Sequence, residues 1–251
     1  MCYLYTRTFF LILTLAYFMA DFVALEAVNQ NTTSCIAPTS SPSSPSTILK
    51  RLRLETQDEH HAVERVLGVM DAAFTRDAYR LRLEQFYGFY SPLEAALQTR
   101  CNLPHECGGG ATLHLSMLLP RLNKTSLLRQ DLSKLGVTTD DLPHCNEFPP
   151  IHTQAEVLGC LYVMEGATLG GRLITQHVQA TFGVMPATGG SFFEGYGAGT
   201  GQMWQAMRQH LTTWAVDVPT ENAIVASAVA TFVSLRTWCE RTNGVPIENI
   251  T

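Results

Sequence analysis

From Ile48 onward, apolar residues recur at three- and four-residue steps, the spacing of one face of an α-helix. In "ILKRLRLETQDEHHAVERVLGVM", Leu49, Leu52, His60, Val63, Leu67 and Met70 fall near one face. Thr56 either closes a first turn there or rides on the helix. "DAYRLRLEQFYGFYSPLEAAL" repeats the habit with Tyr79, Leu83, Phe86, Tyr90 and Leu93, and Pro92 is expected to bend or break it. "LLRQDLSKLGVTTDDLPHCNEFPP" predicts a short helix, then a loop ending at Pro149 and Pro150. "IHTQAEVLGCLYVMEGATLGGRLITQHVQATFG" predicts a long helix apart from its glycines. "GSFFEGYGAGTGQMWQAMRQHLTTWA" predicts a Gly-rich turn running into a helix. "TENAIVASAVATFVSLRTWCE" predicts a final helix with Thr220 as N-cap. No run alternates long enough for a strand, and no tandem repeat is evident. The pattern predicts an all-α, single-domain bundle of roughly six to nine helices.

The N-terminal part differs. Thr8 to Ala20 carries no charge, with Arg7 before it and Asp21 after it. That run is short for a membrane span, which needs about 20 apolar residues, and fits the apolar region of a secretory signal better. "NQNTTSCIAPTSSPSSPS" follows, uncharged and rich in Ser, Thr and Pro, and reads as a disordered linker with a formal glycosylation acceptor at Asn31. The expected organisation is a leader at 1–27, a linker at 28–47, a folded domain at 48–243 and a tail at 244–251. The leader reads equally as a signal, a membrane anchor or an extension from a start placed too far upstream.

Composition narrows the function classes. The net charge of −5 disfavours a general nucleic-acid binder. The seven cysteines form no CxxC pair, which excludes a zinc ribbon or a thioredoxin-like motif. "CNLPHECGGGATLH" offers Cys101, His105, Cys107 and His114 at a spacing that matches no standard metal site; free thiols in a loop are the plainer reading.

Chemistry enters at "LYVMEGATLGGRLI", where three glycines interrupt a buried helix. Gly166 and Gly170 are four apart and share a face, so they expose backbone to a close neighbour. That neighbour is either another helix or a flat ligand. A second wall for a flat ligand exists in "LRLETQDEHHAVE", where His60 lies on the apolar side of its helix. His61 is turned about 100° away and is not expected to serve the same pocket. An imidazole in that position is either a satisfied core residue or an axial ligand of haem (heme) iron.

Four blocks together resemble the heme oxygenases, in particular the bacterial biliverdin-producing branch associated with bacteriophytochromes. "LRLETQDEHHAVE", with Thr56, His60 and Glu64 at four-residue steps, resembles the first helix of that family. "FYGFYSPLE" resembles the second, "LGCLYVMEGATLGGRLI" the distal helix, and "FFEGYGAGTGQMWQAM" the segment after it. The resemblance spans about Leu52 to Trp238 and leaves out the leader. It implies heme between the first helix and a kinked distal helix, with His60 as proximal iron ligand and Gly166 and Gly170 as the distal glycines. It implies cleavage of heme to biliverdin, CO and Fe²⁺, with heme as both cofactor and substrate and O₂ as oxidant. Electrons would come from a ferredoxin, a flavodoxin or an NADPH-dependent reductase, and a phytochrome could accept the bilin. Arg53 and Arg208 are the implied propionate partners, Arg172 a weaker one, and Tyr196 and Phe192 implied pocket residues. The chain departs from animal-type members by Ala167 in place of an Asp after the first distal glycine, leaving Thr168 as one proton-delivery candidate. A non-catalytic heme carrier or sensor, and a thiaminase-like enzyme using Cys160, are the competing readings. The implied electron donors favour a cytoplasmic location, with membrane contact only through the leader.

Overall fold

A computed structural model describes residues 47–103 and 115–243. The leader, the linker up to residue 46, the tail after residue 243 and the positions of His105, Cys107 and His114 lie outside the described residues. The described chain is helical, as expected. The helices are α1 Thr47–Glu55, α2 Gln57–Leu67, α3 Arg76–Asn102, α4 Lys124–Lys134, α5 Gln154–Phe182, the one-turn α6 Ser191–Glu194, α7 Thr200–Trp214 and α8 Val218–Arg241. Short 3₁₀ turns lie at Leu115–Arg121, Pro186–Thr188 and Gly197–Gly199.

The first expected helix is bent at Thr56. Helical hydrogen bonds cross the bend, from the Thr56 amide to Leu52 O at 3.0 Å and from the His60 amide to Thr56 O at 2.9 Å. The Thr56 hydroxyl donates to the same Leu52 carbonyl at 2.7 Å. A Thr side chain that shares a carbonyl with the backbone ladder bends a helix locally. Thr56 therefore rides on the helix and supplies no side-chain cap.

Pro92 neither breaks α3 nor ends it; the helix runs for 27 residues through the proline. Proline cannot donate to the carbonyl four residues earlier, which is Gly88. That carbonyl instead accepts from the Cys145 amide at 2.9 Å. Gly88 also admits the incoming loop, since a Cβ there would lie 2.4 Å from Pro143 O.

The long predicted helix is α5, and its glycines do not interrupt it. A capping box of Thr153 and Glu156 starts it, and Gly183 at φ 67° ends it in left-handed geometry. The last helix starts earlier than expected: Asp217, not Thr220, is the N-cap, accepting from the Thr220 amide at 2.8 Å.

Helix α8 is the common support. Helices α1, α2, α3 and α5 all pack on it, while α2 and α5 scarcely touch one another. Gly159 sets the α5–α8 contact, because a Cβ there would meet Ile224 O at 2.5 Å. Leu158, Leu161, Ile224 and Ala228 are buried at this interface or close to it.

Candidate functional site

Helices α2 and α5 both stand on α8 and make few contacts with one another, as two separate walls. At one end the buried Tyr162 hydroxyl comes close enough to the Thr56 side chain to be influenced by it. Burial pushes that tyrosine up to about 12. His60 lies one turn beyond Thr56, and Gly166 one turn beyond Tyr162.

On α5, a Cβ added at Gly166 or at Gly170 would meet nothing within 4 Å. Close packing of another described helix, one of the two readings of these glycines, is therefore not what they serve. Gly171 shows the contrast: a Cβ there would lie 2.3 Å from Phe193 O. His177 falls on the Gly166–Gly170 face by helix periodicity, and its buried Nε2 has no hydrogen-bond partner among the described residues.

On α2, the His60 ring stands edge-on to Phe232 of α8, with centroids 5.7 Å apart. Its Nδ1 lies 3.7 Å from Glu64 Oε2, while 42% of its side-chain surface stays open. Burial against these neighbours, with His61 acting in the same direction, holds the imidazole down at about 4. At neutral pH it is uncharged and keeps a lone pair for a metal. His61 is nearer than an ideal helix suggests. Its ring centroid lies 6.0 Å from that of His60, and donor atoms of His60, His61 and Glu64 are all within 4.8 Å of one another. Glu64 is four residues from one imidazole and three from the other, so the three side chains share one stretch of helix surface.

The cations divide. Arg53 is half-buried on α1 and close enough to act electrostatically on the Tyr162 hydroxyl. Arg208 is half-buried on α7, one turn beyond Trp204, whose ring lies 5.9 Å from that of Tyr162. The Arg208 guanidinium makes no hydrogen bond or ion pair among the described residues, which leaves it available to an anion. Arg172 is exposed.

The structure does not bring Tyr196 or Phe192 to the glycine face. Tyr196 donates to Glu165 Oε1 at 2.6 Å on another side of α5. Burial and the Glu165 charge hold its hydroxyl far above the usual tyrosine range. Phe192 belongs to a core cluster with Phe86, Tyr90 and Phe193. Thr168 is also behind the wall: its hydroxyl donates to Met164 O at 3.1 Å and accepts from Lys124 Nζ at 2.6 Å. Ala167 is exposed. Cys160 is buried against α8, bonded to Thr231 at 3.3 Å, and burial raises its thiol, so it lacks the activation a nucleophile needs.

Sequence reasoning missed the brace behind α5. Glu165 and Arg121, 2% and 4% exposed, pair at 2.9 Å. Lys124, itself buried, lies over the Tyr196 ring at 4.6 Å. Glu94 accepts from the Lys124 and Thr125 amides at 2.6 and 3.0 Å and so caps α4, whose own N-cap Asn123 makes no side-chain bond. The one signal in the sequence was Glu165 itself: a lone carboxylate in an apolar helix demands a cation.

A family model for heme oxygenase matches residues 46–241, and the chain belongs to the heme oxygenase family. Solved structures agree on the fold. NO- and CO-bound heme oxygenase from Neisseria meningitidis aligns with a TM-score of 0.62 at 20% identity, over 80% of this chain and 94% of that one. Heme oxygenase from Leptospira interrogans gives 0.61 at 20% identity, over 77% and 98%. Heme oxygenase-2 from Synechocystis sp. PCC 6803, in complex with heme and NO, gives 0.58 at 19%, over 78% and 84%. No curated protein sequence matches the chain.

Proposed function

We propose that the protein binds heme in the slot between α2 and α5 and cleaves it to biliverdin, CO and Fe²⁺, using O₂ and electrons from a ferredoxin, a flavodoxin or an NADPH-dependent reductase. The observation that carries this reading is the pairing of an uncharged, half-open His60 with a wall on which Gly166 and Gly170 face empty space. A side chain at either glycine would occupy the room a planar ligand needs.

The residues present fit heme. His60 supplies one neutral nitrogen for the iron, and Glu64 near its Nδ1 orients the ring. Phe232 fixes the ring edge-on and keeps the iron side of the slot apolar. Arg53 and Arg208 offer positive charge to the propionates. Heme supplies the iron that activates O₂, and its own ring is what is oxidised. The chain contributes a histidine ligand without the electron push of a thiolate. It also contributes a bare backbone wall that leaves oxygen close to the ring edge. With Ala167 exposed and Thr168 committed behind the helix, protons reach this site through ordered water.

A cytoplasmic setting matches the supply of electrons, and delivery of the bilin to a phytochrome matches the bacterial branch the motifs resemble. A heme carrier is the second reading, favoured by the missing acid at Ala167. One experiment separates them. Purified protein with one equivalent of heme and a ferredoxin–reductase couple should lose its Soret band and yield a bilin with CO. A stable Soret band under continued electron supply overturns the enzyme reading, and failure of His60→Ala to alter the spectrum overturns the site.

A further inference from the structure

We infer that His60, His61 and Glu64 form a binding site for a divalent transition-metal ion, exclusive with ligation of heme by His60. Donor atoms of the three residues already lie within 4.8 Å of one another. Ligands about 2.1 Å from one metal sit roughly 3–3.5 Å apart, so closure needs little more than 1 Å of side-chain movement. His61 and Glu64 are half-exposed and supply that movement, while His60 stays against Phe232. A single helical turn supplies every donor: Glu64 is four residues from His60 and three from His61. The site therefore needs no assembly from distant elements. Two neutral imidazoles and one carboxylate on one side of an ion, with the remaining positions open to water, is the donor set of iron, zinc and cobalt sites. His61 has no other assignment: it makes no hydrogen bond among the described residues, and its ring meets that of His60.

Exclusion follows from the imidazole. A neutral ring has one lone pair and can serve one metal at a time. Nδ1 of His60 is the nitrogen near Glu64, so an ion held with Glu64 takes that lone pair, and the other nitrogen then carries the proton. Heme iron and the free ion cannot share the residue. On the proposed activity, the occupant in turnover is the Fe²⁺ set free from the opened ring. It moves from the heme-facing nitrogen to a half-open, water-accessible site from which it can leave. That identity rests on the heme reading; the site itself does not.

Co²⁺ titration of the full-length, heme-free protein tests it, read by the visible d–d bands of cobalt. One equivalent should bind, His61→Ala should weaken binding at least tenfold, and one equivalent of heme should displace the cobalt. His61→Ala should take up heme with an unchanged Soret spectrum, which also shows that the variant is folded. Equal cobalt affinity in His61→Ala, binding at several equivalents, or retention of cobalt in the heme complex would each overturn the inference. The two readings fail separately. Heme uptake through His60 without cobalt binding removes this site and keeps the heme reading. His61-dependent cobalt binding in a protein that takes up no heme keeps this site and removes the heme reading.

Discussion

Helix α5 carries glycines that do opposite work. Gly159 and Gly171 are filled against: a Cβ at either would strike backbone oxygen, of Ile224 at 2.5 Å and of Phe193 at 2.3 Å. Gly166 and Gly170, within the same two turns as Gly171, face nothing within 4 Å. The first pair lets protein approach protein, and the second keeps protein away. Glycine in a helix costs about 1 kcal/mol relative to Ala, so an open-faced glycine is retained at a loss unless something outside the fold uses the room. The buried ions lie on the packed side, with Glu165 and Thr168 held by Arg121 and Lys124. Gly159 shares the face of Gly166 and Gly170 two turns earlier, so packed and open stretches are divided along α5 as well as around it.

That division can be broken from either side. The largest effect should come from Arg121→Met, which strands Glu165 in a 2%-exposed site. A loss of about 3–5 kcal/mol is expected, read as a drop in denaturation midpoint. Gly171→Ala should cost about 1–3 kcal/mol through overpacking against Phe193, measured in the same way. Gly170→Leu should leave the midpoint nearly unchanged and weaken heme at least tenfold; unaltered heme affinity would place the ligand elsewhere. Gly166→Ala should raise stability by up to about 1 kcal/mol through helix propensity while disturbing O₂ handling, seen as a changed ratio of turnover to heme affinity. The smallest effect concerns pH. Proton and iron compete for the His60 lone pair, and the folded-state value is lowered to about 4. Heme affinity should therefore stay level from pH 8 to about pH 5 and fall as pH approaches 4. A decline centred near pH 6.5 would mean the imidazole is not shielded.

How much of this was legible depends on how local each cause is. Helical periodicity gave the bundle, the loop to Pro150 and the extent of α5. Gly166, Gly170 and His60 stood out because their residue types are odd for their pattern. No break occurs at Pro92 because the freed Gly88 carbonyl is taken by Cys145, an amide far along the chain that periodicity cannot see. Asp217 is not legible as the N-cap because the helix it starts opens with Val218 and Pro219, residues that look like loop. Tyr196 was assigned to the pocket because aromatics beside glycine look alike whether they face a ligand or a buried carboxylate. Its bond to Glu165 decides that question, and it depends on how two distant segments dock.

Thr56, at the start of α2, and Tyr162 of α5 come together one turn before His60 and Gly166. On the proposed heme site, a flat guest between the walls would halt there, so protein would set insertion depth before any bond to iron forms. Trimming either hydroxyl would then lengthen the berth and let the ring settle further in. If the proposed activity holds, that change would present a different part of the rim to oxygen, and the bilin isomer formed would report the shift.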